Sequence, residues 1–183
     1  VHIFVMTLGY SRRGWAEGYE HERMESLLSA HEHAFEHFGG VTREVLYDRM
    51  RTVIQGEREG KKRWNPTFAA FARHWGFEPR VCRPYRAQTK GKVESGVKYV
   101  KRNFLPGRVF RDLEDFNAQL AVWQAEIADL RIHGTTHEPP IERFAREANA
   151  LTPLAGRAGW HATVPRGRVV GDHWLETIDT NSN

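Results

Sequence analysis

The sequence predicts an α/β fold in which a mixed β-sheet is flanked by helices. Three observations lead to this prediction. An almost continuously apolar segment opens the chain, segments with helical periodicity then alternate with short apolar runs, and two helix starts carry strong capping signals. With 183 residues, 40% of them hydrophobic and 11% aromatic, the chain can build one packed domain and an appendage, which argues against disorder.

The first part of the chain reads as strands interrupted by one long helix. Residues 3–8 are nearly all apolar and predict a strand buried on both faces, and residues 15–19 predict its hairpin partner. Residues 24–38 repeat apolar side chains at helical spacing, and this helix ends at Gly39-Gly40. The short apolar run 45–47 predicts a buried strand that ends at Asp48.

Further along the chain, helices dominate. The polar residues 55–63 predict a loop, and Asn65-Pro66 predicts a capped helix start followed by a short strand at 79–85. Two further helices have apolar stripes that define their buried faces: Val93, Val97, Val100 and Phe104 in a helix from about Thr89, and Leu113, Phe116, Leu120, Trp123, Ile127 and Leu130 in a helix that Asp112 caps. A short helix at 141–148 and alternating strands after Trp160 complete the pattern.

The basic residues are concentrated in one segment. The formal net charge is only +4, but residues 80–111 hold ten Lys or Arg against the single acid Glu94, so this segment carries +9 and the rest −5. Such a segment on an acidic body predicts a polyanionic partner, although a solvated helix face is the alternative. The candidate DNA contacts within it are Arg83, Tyr85, Arg86, Lys90, Lys92, Lys98, Lys101 and Arg102.

Two acids are candidates for metal-assisted chemistry. Asp48 follows a predicted buried strand, where α/β sheets expose functional side chains, and Glu94 lies on the polar side of the next-but-one helix. Two facing carboxylates would repel each other unless a cation lay between them, and Mg²⁺ accepts such oxygen ligands. Paired metal ions can activate water and stabilise the leaving oxygen in phosphodiester cleavage. The alternatives are an ordinary surface ion pair of Glu94 with Lys98 and a turn-capping Asp48.

Histidines and the single cysteine suggest less. His31, His33 and His37 lie on one predicted helix, and the spacing of the last two suits metal ligands, but a surface helix is the favoured interpretation. One cysteine, Cys82, excludes an internal disulfide and a cysteine-based zinc site and favours a reducing compartment such as the cytoplasm. No apolar run approaches the roughly 20 residues that span a membrane.

Four ordered motifs resemble the catalytic core of IstA-type insertion-sequence transposases, within the DDE transposase and retroviral integrase group. They are VMTLGYSRRGWAE (residues 5–17), FGGVTREVLYD (38–48), CRPYRAQTKGKVESGVKYVKRNFL (82–105) and RIHGTTHEPPIERF (131–144). The resemblance implies a ribonuclease H-like fold and Mg²⁺- or Mn²⁺-dependent DNA cleavage and strand transfer. Asp48 and Glu94 would be the second and third acids of the catalytic triad. It also implies a multimer on DNA and an AAA+ ATPase helper protein.

The chain also departs from the family pattern. The family's first Asp lies on a strand before the opening one, whereas Asp48 is the first Asp here, and Arg49 replaces the usual Asn after the second acid. We therefore expect a truncated chain lacking the central first strand, with unpaired edges on both neighbouring strands, marginal stability and a melting temperature below about 60 °C.

These departures define the expected organisation and leave two functions open. The expected division is a partial integrase catalytic core at 1–110, a helical extension at 111–153 and an incomplete β-rich segment at 154–183. The leading hypothesis is a transposase fragment that binds DNA but cleaves it little, and the alternative is a catalytically dead nucleic-acid-binding remnant. A His-rich metal-binding helical protein is the weakest hypothesis.

Overall fold

A five-stranded sheet with helices on both faces forms the centre of the computed structural model, which describes residues 1–47, 53–58, 61–81, 96–154, 156, 158–160 and 178–180. In chain order the elements are β1 (His2–Leu8), β2 (Gly14–Tyr19), α1 (Met24–Phe38), β3 (Gly40–Val41), β4 (Glu44–Tyr47), β5 (Ile54–Arg58), β6 (Lys61–Trp64), α2 (Pro66–Trp75), β7 (Glu78–Val81), α3 (residues 96–103), α4 (Leu113–Trp123), a π-helical segment (Gln124–Ala128), α5 (Pro140–Glu147), a 3-10 turn (Ala148–Ala150), β8 (Thr152–Pro153) and β9 (Ile178–Thr180).

The sheet is mixed, as the sequence predicts. Its strand order is β2-β1-β9-β4-β7. The hairpin strands β1 and β2 are antiparallel, with His2 opposite Tyr19, whereas β4 and β7 run parallel, with Tyr47 opposite Val81. A parallel pair requires a crossover, and α2 lies in the connection between β4 and β7.

The central position of the sheet is filled, contrary to expectation. Strand β9 pairs in parallel with Met6–Leu8 of β1 and antiparallel with Leu46–Tyr47 of β4. The expectation that both neighbouring edges are unpaired is therefore wrong over these residues, because the backbone of β9 supplies their hydrogen bonds. The sequence predicts a strand at 173–178, and β9 begins where that prediction ends.

The buried side chains of β1 point alternately to the two faces of the sheet and so contribute to two layers of the core. Phe4, Met6 and Leu8 pack with α1 and α2 on one face, and Val5 packs with α3 and α4 on the other. Because successive side chains of a strand point to opposite faces, the continuous apolar run of β1 fills both layers. The prediction of a strand buried on both sides is confirmed.

The capping signals are confirmed in detail. The Asn65 side chain accepts hydrogen bonds from the backbone N–H groups of Thr67 (2.9 Å) and Phe68, and Asp112 accepts one from Asp115 (2.7 Å). Gly39 ends α1 with a left-handed φ of 70°. None of the described helices is long and apolar enough to cross a membrane.

Two sequence predictions of local structure are wrong. Residues 55–63 belong largely to the β5–β6 hairpin rather than to a loop, because cross-strand pairing satisfies the backbone although the side chains are mostly polar. Beyond Trp123 the helix becomes π-helical, which adds one residue to the turn and shifts the register of the apolar stripe. Ile127 and Leu130 are consequently exposed, at 48% and 55%, while Gln124 is buried.

Candidate active site and nucleic-acid interface

The proposed metal-binding acids flank described elements. Strand β4 ends at Tyr47, which is fully buried, so Asp48 is the next residue after a fixed point of the core. Glu94 comes two residues before the described part of α3. Asp48 and Glu94 themselves lie outside the described residues, as do five of the candidate DNA contacts: Arg83, Tyr85, Arg86, Lys90 and Lys92. Cys82 lies outside them as well.

Tyr47 is held by a buried histidine that lies on the apolar stripe predicted for residues 24–38. His31 of α1 is fully buried, and its Nδ1–H donates to the Leu27 carbonyl oxygen at 2.6 Å. The neutral ring then has a free Nε2 lone pair, which accepts the Tyr47 hydroxyl hydrogen at 2.8 Å. Burial lowers the pKa of His31 to about 4 and raises the pKa of Tyr47, so both groups are neutral at pH 7.

Aromatic rings surround this hydrogen bond. The His31 ring stacks nearly parallel to Phe77 and meets four further rings at centroid distances of 5.2–6.1 Å, those of Phe4, Phe35, Phe68 and Phe71. Tyr47 packs edge-on against Phe68 at 5.2 Å. Since an apolar cage offers no alternative partner, separating His31 from Tyr47 would leave both unsatisfied. The pair therefore fixes the end of β4.

Helix α3 presents opposite faces to the core and to solvent. Val97, Val100 and the adjacent Phe104 are buried against Phe116 and Leu120 of α4, which confirms this part of the predicted stripe. The candidate DNA contacts on this helix are all exposed: Lys98, Lys101 and Arg102. The packing therefore directs a cationic surface outwards, which allows contact with a large polyanion.

The basic segment 80–111 is less positive in space than in sequence. Arg80 pairs with Glu44 at 2.8 Å and with Glu78 at 3.2 Å, and Arg111 pairs with Asp115 at 3.5 Å. These acids lie outside the segment, so a count along the sequence misses them. The outer face of α3, with the exposed Lys98, Lys101 and Arg102, is the described part of this segment where cations cluster on one helix.

The predicted histidine metal site gains no support. His33 lies on the surface and its Nδ1 contacts the Glu17 carboxylate at 2.8 Å, while His37 packs against Trp15 at a centroid distance of 4.8 Å. Within the part of the chain that the structure describes, no group of three or more His, Cys, Asp or Glu side chains could hold a metal ion. The surface-helix interpretation is right for His33 and wrong for the buried His31.

A second set of polar contacts, which sequence reasoning missed, joins the turn after β1 to the chain after the π-helical segment. Glu147 accepts a hydrogen bond from the Ser11 backbone at 3.0 Å, and Arg13 Nε donates to Asp129 at 2.9 Å. The partners are more than 100 positions apart, so no local sequence signal could have found them. Arg143 also donates to the Tyr10 carbonyl oxygen at 3.0 Å, so the segments 5–17 and 131–144, which carry two of the family motifs, are adjacent in space.

Comparison with known proteins agrees with this architecture. Residues 1–87 match the integrase core domain family. A candidate transposase for insertion sequence element IS5376 from Geobacillus stearothermophilus is 42% identical over 152 residues, which is 83% of this chain and 38% of the relative. The transposase for insertion sequence element IS21 from Pseudomonas aeruginosa is 40% identical over 155 residues, or 84% of this chain and 40% of the relative.

A third relative extends the pattern. The transposase for insertion sequence element IS640 from Shigella sonnei is 38% identical over 144 residues, covering 78% of this chain and 46% of the relative. Residues 1–87 thus match an integrase core domain, a family of ribonuclease H-like α/β fold, and the mixed sheet agrees with that architecture. The chain is similar to insertion-sequence transposases over about four fifths of its length, and it spans about two fifths of the length of the curated relatives it matches.

Proposed function

We propose that this chain contributes part of the catalytic core and part of the DNA-contact surface to a transposase that cleaves and joins DNA with a divalent metal ion. The observation that carries the proposal is the similarity to named transposases over about four fifths of the chain. The packing of α3 supports the DNA contact, because its three exposed cations lie opposite a fully apolar face. Phosphate contacts of this kind supply most of non-specific DNA affinity.

Asp48 and Glu94 are the proposed metal ligands. Their carboxylates are hard oxygen donors that suit Mg²⁺ or Mn²⁺, and His31 anchors Tyr47, the residue that precedes Asp48 in the chain. A bound divalent ion would polarise the phosphodiester and activate the attacking water. The chain's own contribution is to hold the carboxylates and to bind the backbone through Lys98, Lys101 and Arg102.

The partners remain proposals on the same grounds. A homomultimer on insertion-sequence ends and target DNA, and an AAA+ ATPase helper, follow from the resemblance rather than from any described contact. The division into a core at 1–110, a helical extension at 111–153 and a β-rich segment at 154–183 stays a prediction.

DNA binding through α3 can be tested with the chain itself. A triple replacement of Lys98, Lys101 and Arg102 by Gln should weaken binding of a fluorescent duplex and lower the slope of log affinity against log salt by about 0.9 for each lost phosphate contact. Replacing the exposed Arg23 and Arg73 of the α1–α2 side by Gln is the matched control and should change neither quantity. Equal affinity of the triple variant and the control would refute the interface.

A catalytically dead nucleic-acid-binding remnant is the second candidate, and one observation favours it: Arg49 follows Asp48 where the family usually has Asn. Mg²⁺-dependent nicking of insertion-sequence ends distinguishes the two. Nicking that Asp48→Asn abolishes supports the catalytic function. Activity that appears only after Arg49→Asn indicates decay at that position.

A further inference from the structure

Cationic side chains from three distant segments meet where β1 ends. The turn at residues 9–13 lies against the connector between the π-helical segment and α5 (residues 129–139), and against α5 itself. Arg143 of α5 donates from Nε and Nη2 to the Tyr10 carbonyl oxygen at 3.1 and 3.0 Å, and its guanidinium stacks over the Tyr10 ring at 4.1 Å. Together with the Arg13–Asp129 pair, these contacts hold the three segments in one place.

His133 lies among these cations. Its Nδ1 accepts a hydrogen bond from the Thr135 backbone N–H at 3.2 Å, so the neutral ring carries its proton on Nε2. Partial burial, and then the positive charges of Arg131, Arg12 and Arg143, lower the pKa of His133 to about 4. At neutral pH the ring is therefore an uncharged N–H donor in the electrostatic field of three guanidinium groups.

Most of these cations interact with carboxylates. Arg13 pairs with Asp129, while Arg143 pairs with Glu138, which also contacts Arg146. Asp129 also attracts Arg131, but among the described residues no carboxylate lies within ion-pair distance of Arg12 or Arg131.

Arg131 is held in place by an aromatic ring. Its guanidinium carbon lies 3.6 Å above the Tyr99 ring centroid, and its buried Nε meets no acceptor within the described part of the chain. Bringing like charges together costs free energy, which a bound anion would offset.

We propose that Arg12, Arg131 and the Nε2–H of His133 form a site that binds phosphate groups of the DNA backbone. The choice of DNA as the source of the phosphate rests on the proposed function. Guanidinium groups present planar pairs of N–H donors that match phosphate oxygens. A neutral imidazole adds a donor without adding further repulsion. Arg12 lies in the turn with a left-handed φ of 63°, so the backbone of the turn sets where its side chain begins.

The site is separate from the edge that would carry Asp48. Met6 of β1 and Tyr47 of β4 both pair with Ile178 of β9, so the two residues lie at the same level of the sheet, and β4 runs antiparallel to β1. The direction of β4 from Glu44 to Tyr47 therefore points towards the start of β1, whereas Arg12 follows the other end of β1. A duplex bound here would contact the strand ends opposite to those where Tyr47 precedes the proposed metal ligand Asp48.

The test compares DNA affinity of the whole chain across salt concentrations. Arg12→Gln should weaken binding about eightfold at 0.1 M salt and lower the log–log salt slope by about 0.9, as expected for one lost phosphate contact. Gln keeps a polar, unbranched side chain at this position, and a thermal melt checks that the fold is retained. Arg73→Gln, on the exposed surface of α2, is the control and should leave binding unchanged. Identical behaviour of the two variants would overturn the proposal.

A second measurement separates this site from the proposed function. Inorganic phosphate should raise the pKa of His133, followed by NMR and assigned with His133→Gln, because a bound anion favours the protonated ring. If the chain fails to bind DNA while phosphate still shifts His133, the proposed function fails and the anion site stands, with its DNA assignment overturned. If phosphate leaves His133 unchanged, the site itself is refuted.

Discussion

The buried His31 should make the stability of this protein depend on pH in a way that one substitution removes. Its pKa is about 4 in the folded chain and 6.5 in the unfolded chain. The unfolded chain therefore binds more protons as the pH falls through 6.5, and stability is lost until the pH reaches about 4. Linkage between these values gives a loss of about 2 kcal/mol between pH 7 and pH 5 from this residue alone.

The assay is urea unfolding of wild type and His31→Leu at pH 7 and pH 5. The variant should lose about 2 kcal/mol less than the wild type over this interval, because Leu does not titrate. Burial lowers the pKa of His37 in the same direction, so both proteins keep some pH dependence and only their difference isolates His31. An equal loss in the two proteins would refute the inference that His31 is buried and neutral.

A second prediction concerns the same substitution at pH 7. His31→Leu should lower the free energy of unfolding by about 1–3 kcal/mol, because the Tyr47 hydroxyl loses its buried acceptor. Adding Tyr47→Phe removes the orphaned hydroxyl and should restore part of that loss. A double variant that is less stable by the full sum of both single changes would contradict a direct hydrogen bond between the two side chains.

Four further substitutions test the helical layer and its caps, with the free energy of unfolding measured in urea. Gln124→Ala should cost about 1–3 kcal/mol or more, since the buried amide bonds both the N–H and the C=O of Ala16, and a loss below about 0.5 kcal/mol would argue against this contact. Asn65→Ala should cost about 1 kcal/mol by removing the cap of α2, whereas an unchanged midpoint would show that the cap is dispensable. Leu120→Ala should cost about 2–5 kcal/mol and the exposed Ile127→Ser less than about 0.5; similar losses would contradict the register shift of the π-helical segment.

Local patterns in the sequence predicted those elements whose cause is local. The apolar run of β1, the periodicity of α1 and the caps at Asn65 and Asp112 depend on neighbours within a few residues, and all are confirmed. The π-helical segment is different, because Gln124 is drawn into the core by Ala16, 108 positions away. The 3.6-residue period therefore assigned Ile127 to the buried side in error.

The candidate site divides along the same line. The family resemblance proposes Asp48 and Glu94 as site residues from the wording of the motifs. The side chain that anchors the end of β4 is His31, whose bond to Tyr47 forms only when α1 packs on the sheet. The helical spacing places His31 on the apolar stripe of α1 and so predicts its burial, but no local pattern predicts its partner, which depends on tertiary structure. Replacing both partners of a buried hydrogen bond by apolar groups can cost little stability. The bond between His31 and Tyr47 is therefore best explained by the backbone position that it fixes. That position is the residue immediately before the proposed metal ligand, where a displacement of about 1 Å would impair catalysis without unfolding the protein.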